Sequence, residues 1–328
     1  MSEKKWNIPH PLDIKVGGYM DSNEPIYFQN MTMKESEERL KKNDLIIIPV
    51  GSTECHGACA PYGEDTFLVT RMAEQVALKT GCTVSQPVWF GSHPYHHMGM
   101  PGTVPINENT FCDYLAQIIA GFWNAGYRKQ ILLNGHGQEY VIPTAIHQYA
   151  RKYQLPGVIM NLNWYYAIPE YLEVGNPKCK FETPFNHADE QETSFSLALF
   201  PEMYHMEDAQ NTELHTFLPA GHIDNAGNIY GRPIKWYGHA GAGTIEVVGN
   251  PEGVVGKAKL ASAEKAMPGM NVLLDYMEKL VNDIMTKWPA GKLPDTNKVT
   301  QRFTDEELQA YIKGPLKGGK HIYTIAAY

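Results

Sequence analysis

A histidine and three carboxylates follow directly on an apolar run, LIIIPV, that reads as a buried strand. They lie in the stretch GSTECHGACAPYGED (51–65), as Glu54, His56, Glu64 and Asp65. Imidazole and carboxylate groups together suit zinc, manganese or iron. Residues two apart in an extended segment point the same way, so Glu54 and His56 are able to reach one centre together. A charge buried behind a core strand is costly, so Glu54 requires a cation or a donor.

Two further clusters carry similar chemistry. The turn NGHGQE (134–139) follows a second apolar run and contributes His136. The segment NHADEQET (186–193) opens a predicted helix and contributes His187, Glu190 and Glu192. In open α/β sheets, sites form beyond the carboxyl ends of strands, where such segments meet. Metal binding by the three clusters together is therefore the preferred interpretation.

Several of these residues, taken singly, also have an ordinary structural interpretation. Asp65 stands where a helix is predicted to begin, so it also suits an N-cap, and one carboxylate is able both to cap and to ligate. His136 fits a turn histidine held by backbone groups, and Glu192 fits a solvated helix carboxylate. Glu64 is expected to be solvated.

The five cysteines offer a rival chemistry. They are odd in number and scattered, which argues against a disulfide framework. Cys55 and Cys59 resemble half of a zinc site, but no second pair follows at suitable spacing. Cys55 as a nucleophile would point away from Glu54 and His56 in an extended segment, and no G-x-S-x-G elbow is present. Cys55 is therefore interpreted as a packing residue.

The segments around these clusters alternate between strands and helices. Strands are predicted at 45–50, 82–90, 129–134, from 157 onward and at 244–249. Helices are predicted at 31–44, 65–81, 107–126, 139–154, 188–200, 250–288 and 304–313. This alternation predicts an α/β fold in which helices cover both faces of a mostly parallel sheet.

Composition excludes several classes of function. The chain has 328 residues and a formal net charge of −8, without a Lys/Arg-rich block, so no nucleic-acid partner is expected. Its apolar runs are far shorter than the roughly 20 residues that span a bilayer, so no membrane partner is expected. The N-terminus lacks the apolar core of a signal peptide, and we expect a cytoplasmic protein.

An ordered set of motifs resembles the creatininase family of metal-dependent hydrolases. The motifs are PVGSTECHGACAPYGEDT (49–66), GMPGT (99–103), LLNGHG (132–137), HADEQETS (187–194) and NPEGVVGKAKLASAEKA (250–266). The resemblance covers roughly residues 30–267. It implies a three-layer α/β/α domain (31–288) between an N-terminal extended arm (1–30) and a C-terminal extension (289–328). It further implies a homo-oligomer, often a hexamer, and two divalent metal ions, zinc first, with manganese or iron as alternatives.

The resemblance also implies a ligand set. Glu54 and His136 would hold one metal ion and His56 the other, with Asp65 bridging them. Creatininase itself uses a carboxylate two residues after the histidine of its NGH motif, where this chain has Gln138. Relatives without that carboxylate use the glutamate of the ETS motif, which here is Glu192. The alternative last ligand, and a second catalytic candidate, is Glu139.

Further residues are expected to contact the substrate. His187 is expected to be a general acid or to position the substrate, and its alternative role is to orient a ligand. Four residues are expected to line the pocket, the aromatic ones as part of a lid: His96, His97, Trp164 and Tyr165. For these four, packing of the loop or the core is the alternative.

The sequences of the SHPYHHMGMPGT and APYGEDTF segments resemble those of a sugar-catabolic branch of the family. That branch hydrolyses 3-dehydro-scyllo-inosose, a small polar cyclic diketone derived from inositol, by breaking a C–C bond to give a keto-gluconate. The same site would serve, because metal ions generate hydroxide at neutral pH and polarise a carbonyl. The alternatives are a cyclic amidohydrolase that breaks a C–N bond and a non-catalytic metal- or sugar-binding oligomer.

Overall fold

The computed structural model describes residues 26–94, 97, 100–213, 252–295 and 301–322. Its centre is a parallel sheet of four strands in the order β2-β1-β3-β4, namely β1 (Leu45–Val50), β2 (Thr83–Val84), β3 (Lys129–Asn134) and β4 (Val158–Asn163). β1 pairs with β3 over its whole length, with Val50 opposite Asn134 at the carboxyl ends. The two loops that carry Glu54 and His136 therefore leave the sheet side by side.

Eight α-helices lie in the described part of the chain. They are α1 (Met33–Leu40), α2 (Glu64–Thr80), α3 (Glu108–Asn124), α4 (Val141–Tyr153), α5 (Pro169–Leu172), α6 (Glu190–Leu199), α7 (Ala263–Lys287) and α8 (Asp305–Lys313). Short 3₁₀ turns connect several of them, including one at Trp164–Ala167 directly after β4. None of these helices is both long and apolar enough to cross a membrane.

The two faces of the sheet have separate hydrophobic cores. Successive side chains of a strand point to opposite faces, so Ile47 of β1 joins the core beneath α2, α6 and α7, whereas Ile46 and Ile48 join the core beneath α3 and α4. All six residues of β1 are buried, as expected for a strand covered on both sides. The predicted three-layer α/β/α architecture with a parallel sheet is confirmed.

Two predicted elements differ from the structure. The strand predicted at 82–90 is confined to Thr83–Val84 with an isolated bridge at Val88, because Pro87 has no N–H with which to continue the ladder. The helix predicted at 250–288 begins only at Ala263. Gly253 and Gly256 have positive φ angles, which a helix does not accommodate, so the described part of this segment before Ala263 forms turns and a 3₁₀ helix. The strand predicted at 244–249 lies outside the described residues.

Both terminal segments contact the central domain. Of the predicted N-terminal arm, Ile26 and Tyr27 are described and buried, and Val84 N–H donates to the Ile26 carbonyl. In the C-terminal extension, the Ile312 carbonyl accepts from Arg128 Nη2 at 2.8 Å. The division of the chain into three parts stays a prediction.

Candidate metal centre

Asp65 presents its two carboxylate oxygens to two different histidines. It is the second residue of α2, whose N-cap is Gly63, so the N-cap interpretation of Asp65 is wrong. Its Oδ1 lies 3.6 Å from His56 Nε2 and its Oδ2 lies 3.1 Å from His136 Nδ1. Ser52 Oγ donates to Oδ2 at 2.6 Å and fixes the carboxylate plane. This is the arrangement that a bridging carboxylate requires.

Glu54 and His136 face each other across the ends of β1 and β3. His136 Nδ1 lies 2.9 Å from Glu54 Oε2, and both residues are buried. Two more histidines surround the same carboxylate: His97 Nδ1 contacts Glu54 Oε1, and His93 Nδ1 lies 3.8 Å from it. One side of the centre is therefore rich in histidine nitrogens that could bind a metal ion.

His56 lies among carboxylates on the other side of the centre. Its Nδ1–H donates to the Glu54 carbonyl at 3.2 Å, which leaves the lone pair of Nε2 facing the site. That nitrogen lies 3.4 Å from Glu64 Oε2 and 3.7 Å from Glu192 Oε2. Glu64 is fully buried, so its expected solvation is wrong. Ser196 Oγ donates to the other oxygen of Glu64.

The buried polar atoms of this cluster fit a bound cation. Within the described part of the chain, several have no hydrogen-bond partner of suitable geometry: both oxygens of Glu54, Nε2 of His56 and Oε2 of Glu64. Burial raises the pKa of Glu64 to about 7, and burial together with the Glu64 carboxylate raises the pKa of Glu192 well above its ordinary value. A divalent cation would offset both penalties, so the residues present fit a metal site.

Three groups of potential ligand atoms, each with its members within 4.8 Å of one another, occur among the described residues. They are Glu54 with His93, His97 and His136; Glu54 with His56 and His187; and His56 with Glu64, Asp65 and Glu192. The groups share Glu54 and His56, so they form one continuous centre. The five ligands implied by the family resemblance lie in it: Glu54, His56, Asp65, His136 and Glu192. Glu190 lies outside it and pairs with Lys265 at 2.6 Å. Two adjacent metal positions are therefore geometrically possible.

Sequence reasoning missed Glu64 and His93. Helical periodicity was a signal for Glu64, because it lies one turn before the buried Leu68 and on the same face of α2. His93 lies in a loop without periodicity, and its ring packs on His136 with ring centroids 4.4 Å apart. No pattern in the sequence singles it out.

His187 lies at the rim of the centre in a constrained segment. Its Nε2–H donates to the Cys55 carbonyl at 2.7 Å, and its Nδ1 lies 3.9 Å from Glu192 Oε2. Burial lowers the pKa of His187 to about 4, so the ring is neutral at pH 7. The next residue, Ala188, has a φ of 49°, and its N–H donates to Glu192 Oε2 at 2.5 Å. This unusual backbone orients Glu192 toward His56.

Gln138 and Glu139 follow His136 but face different surroundings. The Gln138 amide donates to the Gly51 carbonyl and to Asn134 Oδ1, and it accepts from Ser92 N–H, so it supports the loops rather than the centre. Glu139 belongs to none of the three ligand groups of the described residues. Its Oε1 accepts from Tyr166 at 3.1 Å.

Of the residues predicted to line the substrate pocket, some line a cavity in the structure and others do not. His97 and Tyr165 line a small cavity beside the centre, with a volume of about 30 Å³. Trp164 is fully buried in the core, where its ring packs on Phe185 and Phe195. His96 lies outside the described residues.

Comparison with known proteins identifies the family to which the chain belongs. The sequence profile of the creatininase family, described as creatinine amidohydrolase, matches residues 29–281. The chain belongs to the creatininase family. It is 65% identical over 300 residues to the 3-dehydro-scyllo-inosose hydrolase of Thermotoga maritima, an alignment that covers 91% of this chain and 96% of that one. It is 25% identical over 206 residues to the creatinine amidohydrolase of Pseudomonas putida, covering 59% of this chain and 79% of that one.

Solved structures agree with this family. A manganese form of creatininase superposes with a TM-score of 0.62 at 22% identity, covering 80% of this chain and 99% of that one. At this identity the likeness establishes the fold alone. Together with the family match, it confirms the predictions of a creatininase-like fold and of a metal-dependent hydrolase.

Proposed function

We propose that this chain hydrolyses 3-dehydro-scyllo-inosose, a small cyclic diketone, with two divalent metal ions at the centre described above. The observation that carries the proposal is the 65% identity to a hydrolase of that name over nearly the whole of both chains. The structure supports it, because a cavity lies beside a buried histidine–carboxylate centre and is lined by several of its residues.

Five residues would hold the metal ions. Glu54 and His136 would bind one ion and His56 and Glu192 the other, with one oxygen of Asp65 on each. The directions of the two Asp65 oxygens support this division. Divalent cations bound there would lower the pKa of a water molecule and polarise a substrate carbonyl.

Zinc is the metal that we propose first. Three histidines surround Glu54 on one side of the centre, and imidazole-rich sites suit zinc better than magnesium or calcium. Manganese and iron remain the alternatives, because the carboxylates around His56 also suit harder ions.

His187 would move a proton during the reaction. Its Nε2–H is occupied by the Cys55 carbonyl, so Nδ1, which lies 3.9 Å from Glu192 Oε2, is the nitrogen left to exchange a proton. The oxygen of a water molecule would add to one ring carbonyl as Nδ1 accepts its proton, and the adjacent C–C bond would break. The electron pair of that bond delocalises into the second carbonyl, and the released carbon takes a proton. Nδ1 is placed to accept the proton of the attacking water and to return it to that carbon.

The test of this proposal is incubation of the metal-loaded protein with 3-dehydro-scyllo-inosose in H₂¹⁸O. We expect one new carboxylate per ring, carrying one ¹⁸O atom, and no release of nitrogen. A Glu54→Gln variant should lose this activity, because the amide does not replace the carboxylate as a ligand. Absence of turnover by protein with its full complement of metal would refute the substrate.

A creatinine-type amidohydrolase is the weaker alternative. The carboxylate that creatininase uses after its NGH motif is replaced by Gln138, whose side chain is fully occupied by loop contacts. We also propose a homo-oligomer, a hexamer by family likeness. Light scattering coupled to size exclusion tests it, and a monomer would refute it.

A further inference from the structure

Two buried acceptors in the wall of the cavity have no hydrogen-bond partner of suitable geometry among the described residues. The cavity is lined on one side by the metal-binding residues and on the other by Gly137, Glu139, Tyr165, Phe185 and Asn186. The atoms without a partner are Oε2 of Glu139 and Oδ1 of Asn186. A buried acceptor without a donor is costly, so both atoms point to a ligand that donates hydrogen bonds.

Glu139 is held so that one of its oxygens is occupied and the other is not. Tyr166 donates to Oε1 at 3.1 Å, the Tyr165 hydroxyl also lies beside the carboxyl group, and the Glu139 side chain is largely buried. Burial raises the pKa of Glu139 and the Tyr166 hydrogen bond opposes this, and Oε2 is the oxygen of the group that remains as an acceptor.

Asn186 is held in the same manner. Its Nδ2 donates to the Pro184 carbonyl at 3.2 Å, and this contact fixes which end of the amide remains for the cavity. The residue precedes His187, so the cavity wall and the rim of the metal centre are built by one segment. A ligand at Asn186 would therefore lie beside His187, which lines the same cavity.

We propose that Glu139 and Asn186 form a subsite for the hydroxyl groups of a cyclic polyol, each residue accepting one hydroxyl hydrogen. The inference rests on the proposed function for the identity of the substrate, but the subsite itself is defined by the two acceptors. Glu139 is thus a specificity residue and not a metal ligand, in agreement with its absence from the ligand groups of the described chain. A ring without hydroxyls or N–H groups would leave both acceptors unpaired and would bind poorly.

The test uses scyllo-inositol, a cyclic polyol without a carbonyl, as the probe. Its binding to the metal-loaded protein is measured by calorimetry, so the measurement does not depend on catalysis. In Glu139→Gln, the amide loses the charge, and an N–H₂ donor faces the cavity if its carbonyl keeps the Tyr166 hydrogen bond. We expect affinity for the probe to fall about tenfold or more, with metal content unchanged. Asn186→Leu, of similar shape but without the acceptor, should also weaken binding.

The matched control is Glu173→Gln, the same change at an exposed glutamate outside the cavity. It should leave probe affinity unchanged. Loss of metal from Glu139→Gln, unchanged probe affinity in both cavity variants, or no binding by the parent protein would each overturn the subsite. Failure to hydrolyse the diketone, combined with probe binding that depends on Glu139, would refute the proposed function and leave the subsite standing.

Discussion

Gly135 is the position at which a single methyl group should disturb the metal centre most selectively. It lies between β3 and His136, and its N–H donates to the Val50 carbonyl at 2.9 Å. A Cβ atom there would lie 2.4 Å from the main-chain oxygen of Asp65 and 2.9 Å from Cγ1 of Val69. Its φ angle is not in the left-handed region, so alanine is excluded by space and not by backbone conformation.

The size of the effect follows from that contact. Ordinary contact begins at 3.4 Å, so the start of α2 and the β3 loop must separate by about 1 Å. Asp65 and His136 lie on opposite sides of this gap, and their contact of 3.1 Å would be lost. Overpacking of this kind costs about 1–3 kcal/mol in stability. A displacement of about 1 Å at a reacting centre costs roughly 100-fold in rate.

The assay compares Gly135→Ala with Gly121→Ala for metal content, kcat/KM and Tm. Gly121 lies in α3 with nothing within 4 Å of its added Cβ, so alanine there should stabilise the helix by about 0.5–1 kcal/mol. We expect Gly135→Ala to lose metal and activity, and Gly121→Ala to keep both. Full metal content and parental kcat/KM in Gly135→Ala would refute the close contact between the start of α2 and the loop after β3.

Three further predictions test other parts of the structure. Glu192→Gln should retain about one metal equivalent per chain, and Glu139→Gln should retain about two. Of these two glutamates, Glu192 is the one that faces His56. Equal metal content in the two variants would contradict this assignment. Asp44→Ala should destabilise the fold by about 3–5 kcal/mol in denaturant titrations, because it leaves the fully buried ammonium of Lys129 unpaired. Replacement of both residues by apolar ones should recover most of the loss. Removal of metal by a chelator should lower the Tm, and re-addition should restore it; a Tm independent of metal would contradict a cation among the buried carboxylates.

The layer architecture could be predicted from the sequence because its signals are local. Buried strands such as β1 are short apolar runs, and α2 ends at Gly81 in the left-handed conformation that favours glycine. The meeting of three clusters at one sheet edge followed from the parallel topology. Motif resemblance, and not periodicity, named the individual ligands.

The remainder depends on contacts between distant segments. Glu64 was expected in solvent, but α2 is covered by both the sheet and α6, where Ser196 contacts the Glu64 carboxylate. The segment before α7 lacks helix because it crosses the centre, with Val255 N–H donating to the His187 carbonyl at 2.8 Å. Contacts between segments so far apart in the chain cannot be predicted from the spacing of residues in the sequence.

The most direct test of the central claim is the metal content of protein purified without chelator or added metal, measured by inductively coupled plasma mass spectrometry. The position of Asp65 between His56 and His136 predicts about two equivalents of zinc, manganese or iron per chain. A content near zero, with no uptake after incubation with these metals, would contradict the metal centre and with it the hydrolytic mechanism.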